Sequence, residues 1–145
     1  AHDGHLGDAW IGEWVNLGAG TTNSNLLNTY AEVIARPLGP AGRPASSERT
    51  GQQFLGCVLG DHVKTAICTR IMTGAIAGTG TMFAATAPLS GTLPAFSWVT
   101  DASPDPRPFR FDKFLEVATA AMARRKLTPS PAYVERLRAL SSARS

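Results

Sequence analysis

A beat of six residues constrains this chain more than any other feature of its sequence. Leu59, Thr65, Ile71, Ala77 and Phe83 fall six apart, and four places after each lead stands Val63, Thr69, Ala75, Thr81 or Ala87. Gly60, Ala66, Met72, Gly78 and Ala84 follow the leads directly. The same beat runs earlier through Ile11 and Leu17, each followed by glycine (Gly12, Gly18) and, four on, by Val15 and Thr21. Such a period fits neither the 3.6 of a helix nor the alternation of a simple strand. It is the period of a hexapeptide-repeat parallel β-helix, in which each hexad is a flat strand and a corner and three hexads close a triangular coil of about 18 residues. Residues one coil apart then stack, Leu59 beneath Ala77 and Thr65 beneath Phe83. Leads point into the prism, the four-on residue points in near a corner and is small, and glycine lets the backbone turn without a Cβ clash.

From about 23 to 53 the beat stops. NSNLLNTY has the Asn and Ser content of a corner or loop, and PLGPAGRPASSERTG is turn-rich between two strand-like stretches, Ala31 to Arg36 and Gln53 to Leu59. The expectation is a hairpin-like insertion projecting from one corner, with the Asn cluster as its functional part. After Ala87, PLSGTLPAFSWVTDASPDPRP carries five prolines and is expected to end the coils, with Phe96 and Trp98 capping the open end. Asp112 reads as an N-cap, and Phe114, Leu115, Ala118, Ala121 and Met122 give an apolar stripe to about Lys126. Ser130 and Pro131 repeat the start signal for a second, shorter helix with Val134, Leu137 and Leu140. The expected fold is mainly β, a hexapeptide-repeat domain over 1–99 with an inserted hairpin-like loop, followed by a linker and one or two α-helices over 100–145.

A chain of 145 residues is one domain's worth. Its first residues carry no basic region leading into an apolar run, and no stretch approaches the length of a membrane span, so neither a signal peptide nor a membrane span is expected. Two cysteines read as unpaired point to a cytoplasmic setting. The missing initiator Met suggests a processed chain or a fragment. Cys57 and Cys68 stand at no metal spacing and read as small buried hydrophobes. His2, His5 and His62 exhaust the histidines, and their spacing supports no metal pattern. The net charge is +3, yet nine of the 14 Lys and Arg residues follow residue 100. They read as a solvated face on terminal helices or as a rim that meets ligand phosphates. Nothing has the aromatic interleaving of a nucleic-acid module. Trp10 and Trp14 lie in the outward register and call for cover from a neighbouring subunit or from the terminal helices.

The run LGDAWIGEWVNLGAGTT followed by NSN resembles the acetyltransferase half of the bifunctional N-acetylglucosamine-1-phosphate uridyltransferases. GEWVNLGAGTT, GDHVKT, FSW and a helix ending in MARR are similar to a related group of sugar nucleotidyltransferases whose C-terminal half is a hexapeptide repeat. The resemblance covers nearly the whole chain. It implies a left-handed parallel β-helix, a homotrimer with sites between subunits, and transfer of an acetyl group from acetyl-CoA to the amine of an amino sugar phosphate such as glucosamine 1-phosphate. His2, five before Gly7, falls on the catalytic histidine, a general base for the attacking amine. Asn25 falls on the loop Asn near the amino sugar and the reacting carbonyl. The amides around Ala84 and Ala85 fall on the segment that holds the pantetheine arm. Two positions depart from the pattern: Leu26 stands where the family has Tyr, and Ile67 where it has a Ser that touches the thioester end of CoA. The nucleotidyltransferase half, with its glycine-rich loop, is missing from these residues. Leu26 and Ile67 favour a second reading, a catalytically silent β-helix that trimerises and positions a nucleotidyltransferase partner.

Overall fold

The computed structural model describes residues 3–40 and 42–144. Its strands are short: β1 (Trp10–Ile11), β2 (Thr22–Asn23), β3 (Ile34–Ala35), β4 (Glu48–Arg49), β5 (Cys57–Leu59), β6 (Lys64–Thr65), β7 (Arg70–Ile71), β8 (Ala75–Ala77), β9 (Met82–Ala84), β10 (Thr92–Leu93), β11 (Ser97–Thr100) and β12 (Ser103–Pro108). Two helices follow, α1 (Phe111–Ala123) and α2 (Pro131–Arg144).

Three parallel ladders organise these strands. One joins β1, β5, β8 and β10; a second joins Asn16, β6, β9 and β11; a third joins His5, β2, β7 and Leu89. Leu59 lies opposite Ala77 and Thr65 opposite Phe83, so the chain returns to the same place every eighteen residues, as the beat of six requires. Ile11 lies opposite Leu59 and Asn23 opposite Ile71, an offset of forty-eight: one such return plus a thirty-residue insertion. The prolines after Ala87 do not stop the pattern. β10 and β11 add in parallel to β8 and β9 at an offset of sixteen, Ala77 against Leu93 and Phe83 against Val99. A ladder tolerates proline where the strand needs no donor, and Pro88 and Pro94 fall outside the named strands.

The leads fill the interior. Leu59, Thr65, Ile71, Ala77 and Phe83 are all buried, as are Val63, Thr69, Ala75 and Thr81 at the four-on position, whereas Ala87 is exposed. Buried hydroxyls are satisfied locally: Thr69 Oγ1 donates to Ala66 O at 2.8 Å and Thr21 Oγ1 to Gly18 O at 2.7 Å. Corners recur with left-handed backbone, which is uncommon for non-glycine residues. Trp14, His62, Gly80 and Phe96 have φ of 60°, 60°, 72° and 52°, and each succeeds the last by one return of the chain. Elsewhere, close approach demands glycine. A Cβ on Gly18 would stand 2.3 Å from the Ala66 backbone, and one on Gly56 only 2.0 Å from Gly7 O.

The insertion is a hairpin, but it folds back along the ladders rather than projecting. Leu26 pairs with Phe54, β3 with β4, and Leu38 with Pro44, all antiparallel. Val33 is buried and lies over Gly74; Thr92 Oγ1 donates to Arg36 O, and Ala95 N to Gly42 O at 3.3 Å.

At the far end β11 turns back into β12, which pairs antiparallel along its outer edge and carries Pro104, Pro106 and Pro108. Phe96 does not cap the interior. With Phe109, Phe114, Ala118 and Leu137 it forms a second core between the corner and the helices, and Phe96 meets Phe114 edge to face at 4.9 Å. Each such ring contributes about 1.5–3 kcal/mol by burial. Trp98 remains partly exposed, packed on Phe109 at 5.0 Å. Asp112 is not the N-cap of α1: Arg110 takes that position, and the Asp112 carboxylate accepts from its guanidinium within the first turn. Tyr133 N donates to Ser130 Oγ at 3.2 Å, so Ser130 does start α2, which spans 14 residues against 13 in α1 and is not the shorter helix.

Candidate functional site

Asn25 sits two residues beyond β2, where the chain leaves the third ladder. Its Nδ2 donates to Asp8 Oδ2 at 2.6 Å, and its carbonyl accepts from Leu55 N at 2.9 Å. Both ends of the residue are therefore held. His5 belongs to the same ladder one rung away, paired with Thr22. The two side chains converge over Gly7: a Cβ there would lie 2.8 Å from His5 Nε2 and 2.9 Å from Asn25 Nδ2. Glycine is what leaves room for an imidazole and a carboxamide together. His5 also borders an open cavity of about 280 Å³ with Asp3, Gly4, Leu6, Leu17, Gly18 and Thr21. An imidazole, a carboxamide fixed in orientation and a carboxylate form a set able to accept a proton and hold a polar group of a ligand.

His2 lies outside the described residues. Asn23, part of the cluster expected to be functional, serves the fold: buried, it accepts from Gly7 N at 2.7 Å and donates to Gly7 O at 2.8 Å, acting as a substitute peptide for that rung. Ala84 pairs with Thr100 at the end of β9, and Ala85 packs against the interior core. They precede the segment of Thr86 to Leu89 that joins the third ladder, so they flank the face bordered on its other side by Asn25. Asn25 and the two alanines thus stand on different rungs at opposite edges of one face. Leu26 is tied into the hairpin, its carbonyl accepting from Ser24 Oγ at 3.2 Å. Ile67 is 72 % exposed.

His5 and Asp8 were the residues that spacing alone missed. No sequence signal announces them: Asp8 takes a left-handed backbone (φ 46°) and accepts from Asn25 seventeen residues away, a contact that only the folded chain shows.

His62 has a different role. It is 2 % exposed, enclosed by Trp14, Phe114 and Tyr133, with Nε2 and Tyr133 Oη 2.8 Å apart and Nδ1 without a partner among the described residues. Burial, assisted by the Lys64 charge, pushes its pKa down to about 4, against a smaller upward pull from Asp61. It is a neutral packing residue between the ladders and the helices. Cys57 matches its reading, buried with a thiol pushed up to about 11 by desolvation, but Cys68 sits exposed on a left-handed corner. Trp14 is half-buried, stacked on His62 and lining a groove beside α1, whereas Trp10 is 73 % exposed.

Among the described residues no group of three or more His, Cys, Asp or Glu could hold a metal ion, and no helix is long and apolar enough to cross a membrane. Compared with protein-family models and with curated proteins, the chain matches none.

Proposed function

We propose that the chain is the acyl-transfer domain of a hexapeptide-repeat enzyme. In this reading it is a left-handed parallel β-helix that works as a homotrimer, takes acetyl-CoA as acyl donor and acetylates the amine of an amino sugar phosphate, alongside a nucleotidyltransferase partner domain. The observation that carries it is Asn25, locked to Asp8 and converging with His5 over Gly7. The amine nitrogen attacks the thioester carbonyl while an imidazole takes the amine's proton, the C–S bond breaks with CoA leaving as the thiolate, and the imidazolium returns the proton to sulfur to give the free thiol. Two imidazoles compete for that proton, His2, which the resemblance assigns, and His5, which stands beside Asn25.

The test is release of free thiol from acetyl-CoA on addition of glucosamine 1-phosphate. Loss of the base lowers the rate by roughly 10² to 10⁴, so comparing His2→Ala with His5→Ala identifies it, and Asn25→Ala abolishes most turnover. Ile67, apolar and exposed where the family keeps a Ser, favours the second reading, a silent domain that trimerises and positions its partner. A trimer that takes up no acetyl-CoA in calorimetry would decide for that second reading.

A further inference from the structure

Between the second ladder and α1 runs a groove of about 390 Å³. The ladder contributes Trp14, Val15, Asn16 and Lys64; the helix and the residues just after it contribute Val117, Ala120, Ala121, Arg124 and Arg125. Val117, Ala120, Ala121 and Arg124 share one helical face, so small residues leave the space and the cations close its end. Three positive charges line the groove and no carboxylate does. None of the three makes an ion pair or side-chain hydrogen bond among the described residues.

Helix-end cations commonly answer the C-terminal carbonyls. Here the backbone does that work: Arg125 N and Leu127 N both donate to Met122 O, at 2.9 and 3.1 Å. The guanidiniums are left for something else. Lys64 is the sharper case, a half-buried ammonium on β6 whose pKa is lowered by desolvation with no partner to offset it. Asp61 and Glu13 lie at the adjoining corner, where Asp61 Oδ1 accepts from Glu13 N at 2.8 Å, and neither lines the groove.

We infer that this groove binds the diphosphate of a nucleotide-type ligand, Lys64 from one wall and Arg124 and Arg125 from the other closing on its oxygens while Trp14 offers a surface for the base. Cations on two facing walls suit a ligand that carries more than one phosphate. Arginine pairs suit phosphate oxygens by their planar fork, and lysine adds a point charge. The volume falls within the range of small-molecule sites. None of these residues belongs to the Asn25 cluster, so the groove can be tested without turnover at that cluster.

Calorimetric titration of the whole chain with ADP and with inorganic pyrophosphate tests it. Both should bind saturably, ADP the tighter, and Lys64→Gln or the exposed pair Arg124→Gln/Arg125→Gln should each weaken binding by about tenfold or more. Because the arginines are exposed, the pair substitution leaves the fold intact even if Lys64→Gln unfolds it. Displacement of ADP by CoA or by a nucleotide sugar identifies the carrier of the diphosphate, and either supports the site. No saturable heat with ADP or pyrophosphate, binding of single-stranded RNA alone, or affinity unchanged in the arginine pair variant would overturn the assignment.

Discussion

Lowering the pH should loosen the helices from the ladders through one residue, His62. Its imidazole is closed in by Trp14 on its own face, Phe114 of α1 and Tyr133 of α2, with Lys64 and Asp61 as the charges bearing on it. The folded pKa of about 4 lies below the ordinary 6.5. The unfolded chain therefore binds a proton first as pH falls, while the folded chain resists. The stability that neutral His62 contributes is fully present above about pH 6.5 and is lost as pH drops toward about 4. At 1.36 kcal/mol per pH unit the loss approaches about 3 kcal/mol, a large share of the 5–15 kcal/mol of an ordinary domain. Urea unfolding of the parent and of His62→Asn at pH 7.5 and 4.5 measures it. Asn tolerates the left-handed corner and does not titrate, and the carboxylates common to both proteins cancel in the difference. The parent should lose about 2–3 kcal/mol more than the variant across that interval. Equal losses would refute the reasoning, as would an imidazole titrating near 6.5 by NMR.

Leu59→Ala should cost about 2–5 kcal/mol in chemical unfolding, since the lead is fully buried within stacked rungs that cannot collapse onto it. Gly18→Ala should destabilise far more than Gly51→Ala: the first drives a methyl into the Ala66 backbone, while the second meets open space and bears only a left-handed φ worth about 1 kcal/mol. Under native conditions a thiol reagent should modify Cys68 and leave Cys57 untouched until the protein unfolds, which mass spectrometry of labelled peptides would read directly.

The interior of this molecule was legible because its rule is local. Every sixth residue faces inward, so Leu59 through Phe83 could be placed from spacing alone, and the pairing of Leu59 with Ala77 follows from the same count. The exterior was not, because its contacts join segments far apart in the chain. Nothing near His62 announces Tyr133, seventy-one residues away, or that a histidine would take a left-handed corner. The hairpin's return onto Gly74 and Ala95 depends on Val33 and Gly42 finding those partners, a tertiary choice invisible in the turn-rich composition. The candidate site divides in the same way: Asn25 is singled out in the sequence by its place after LGDAWIGEWVNLGAGTT, but the company of His5 and Asp8 required the folded rungs.

Stacked parallel rungs have an inherent hazard, since the last one presents an unpaired edge on which a neighbour's chain could continue and fibres could grow. β12 occupies that edge. Phe109 N points inward to Phe96 O at 2.7 Å, so the residues alternate with it, Pro108 and Pro106, turn their nitrogens outward, and a proline nitrogen has no hydrogen to give. An incoming strand meets a row without donors, interspersed with the charges of Asp105 and Arg107. Pro106 and Pro108 thus deny a further strand its hydrogen-bond donors along the outer edge of this sheet.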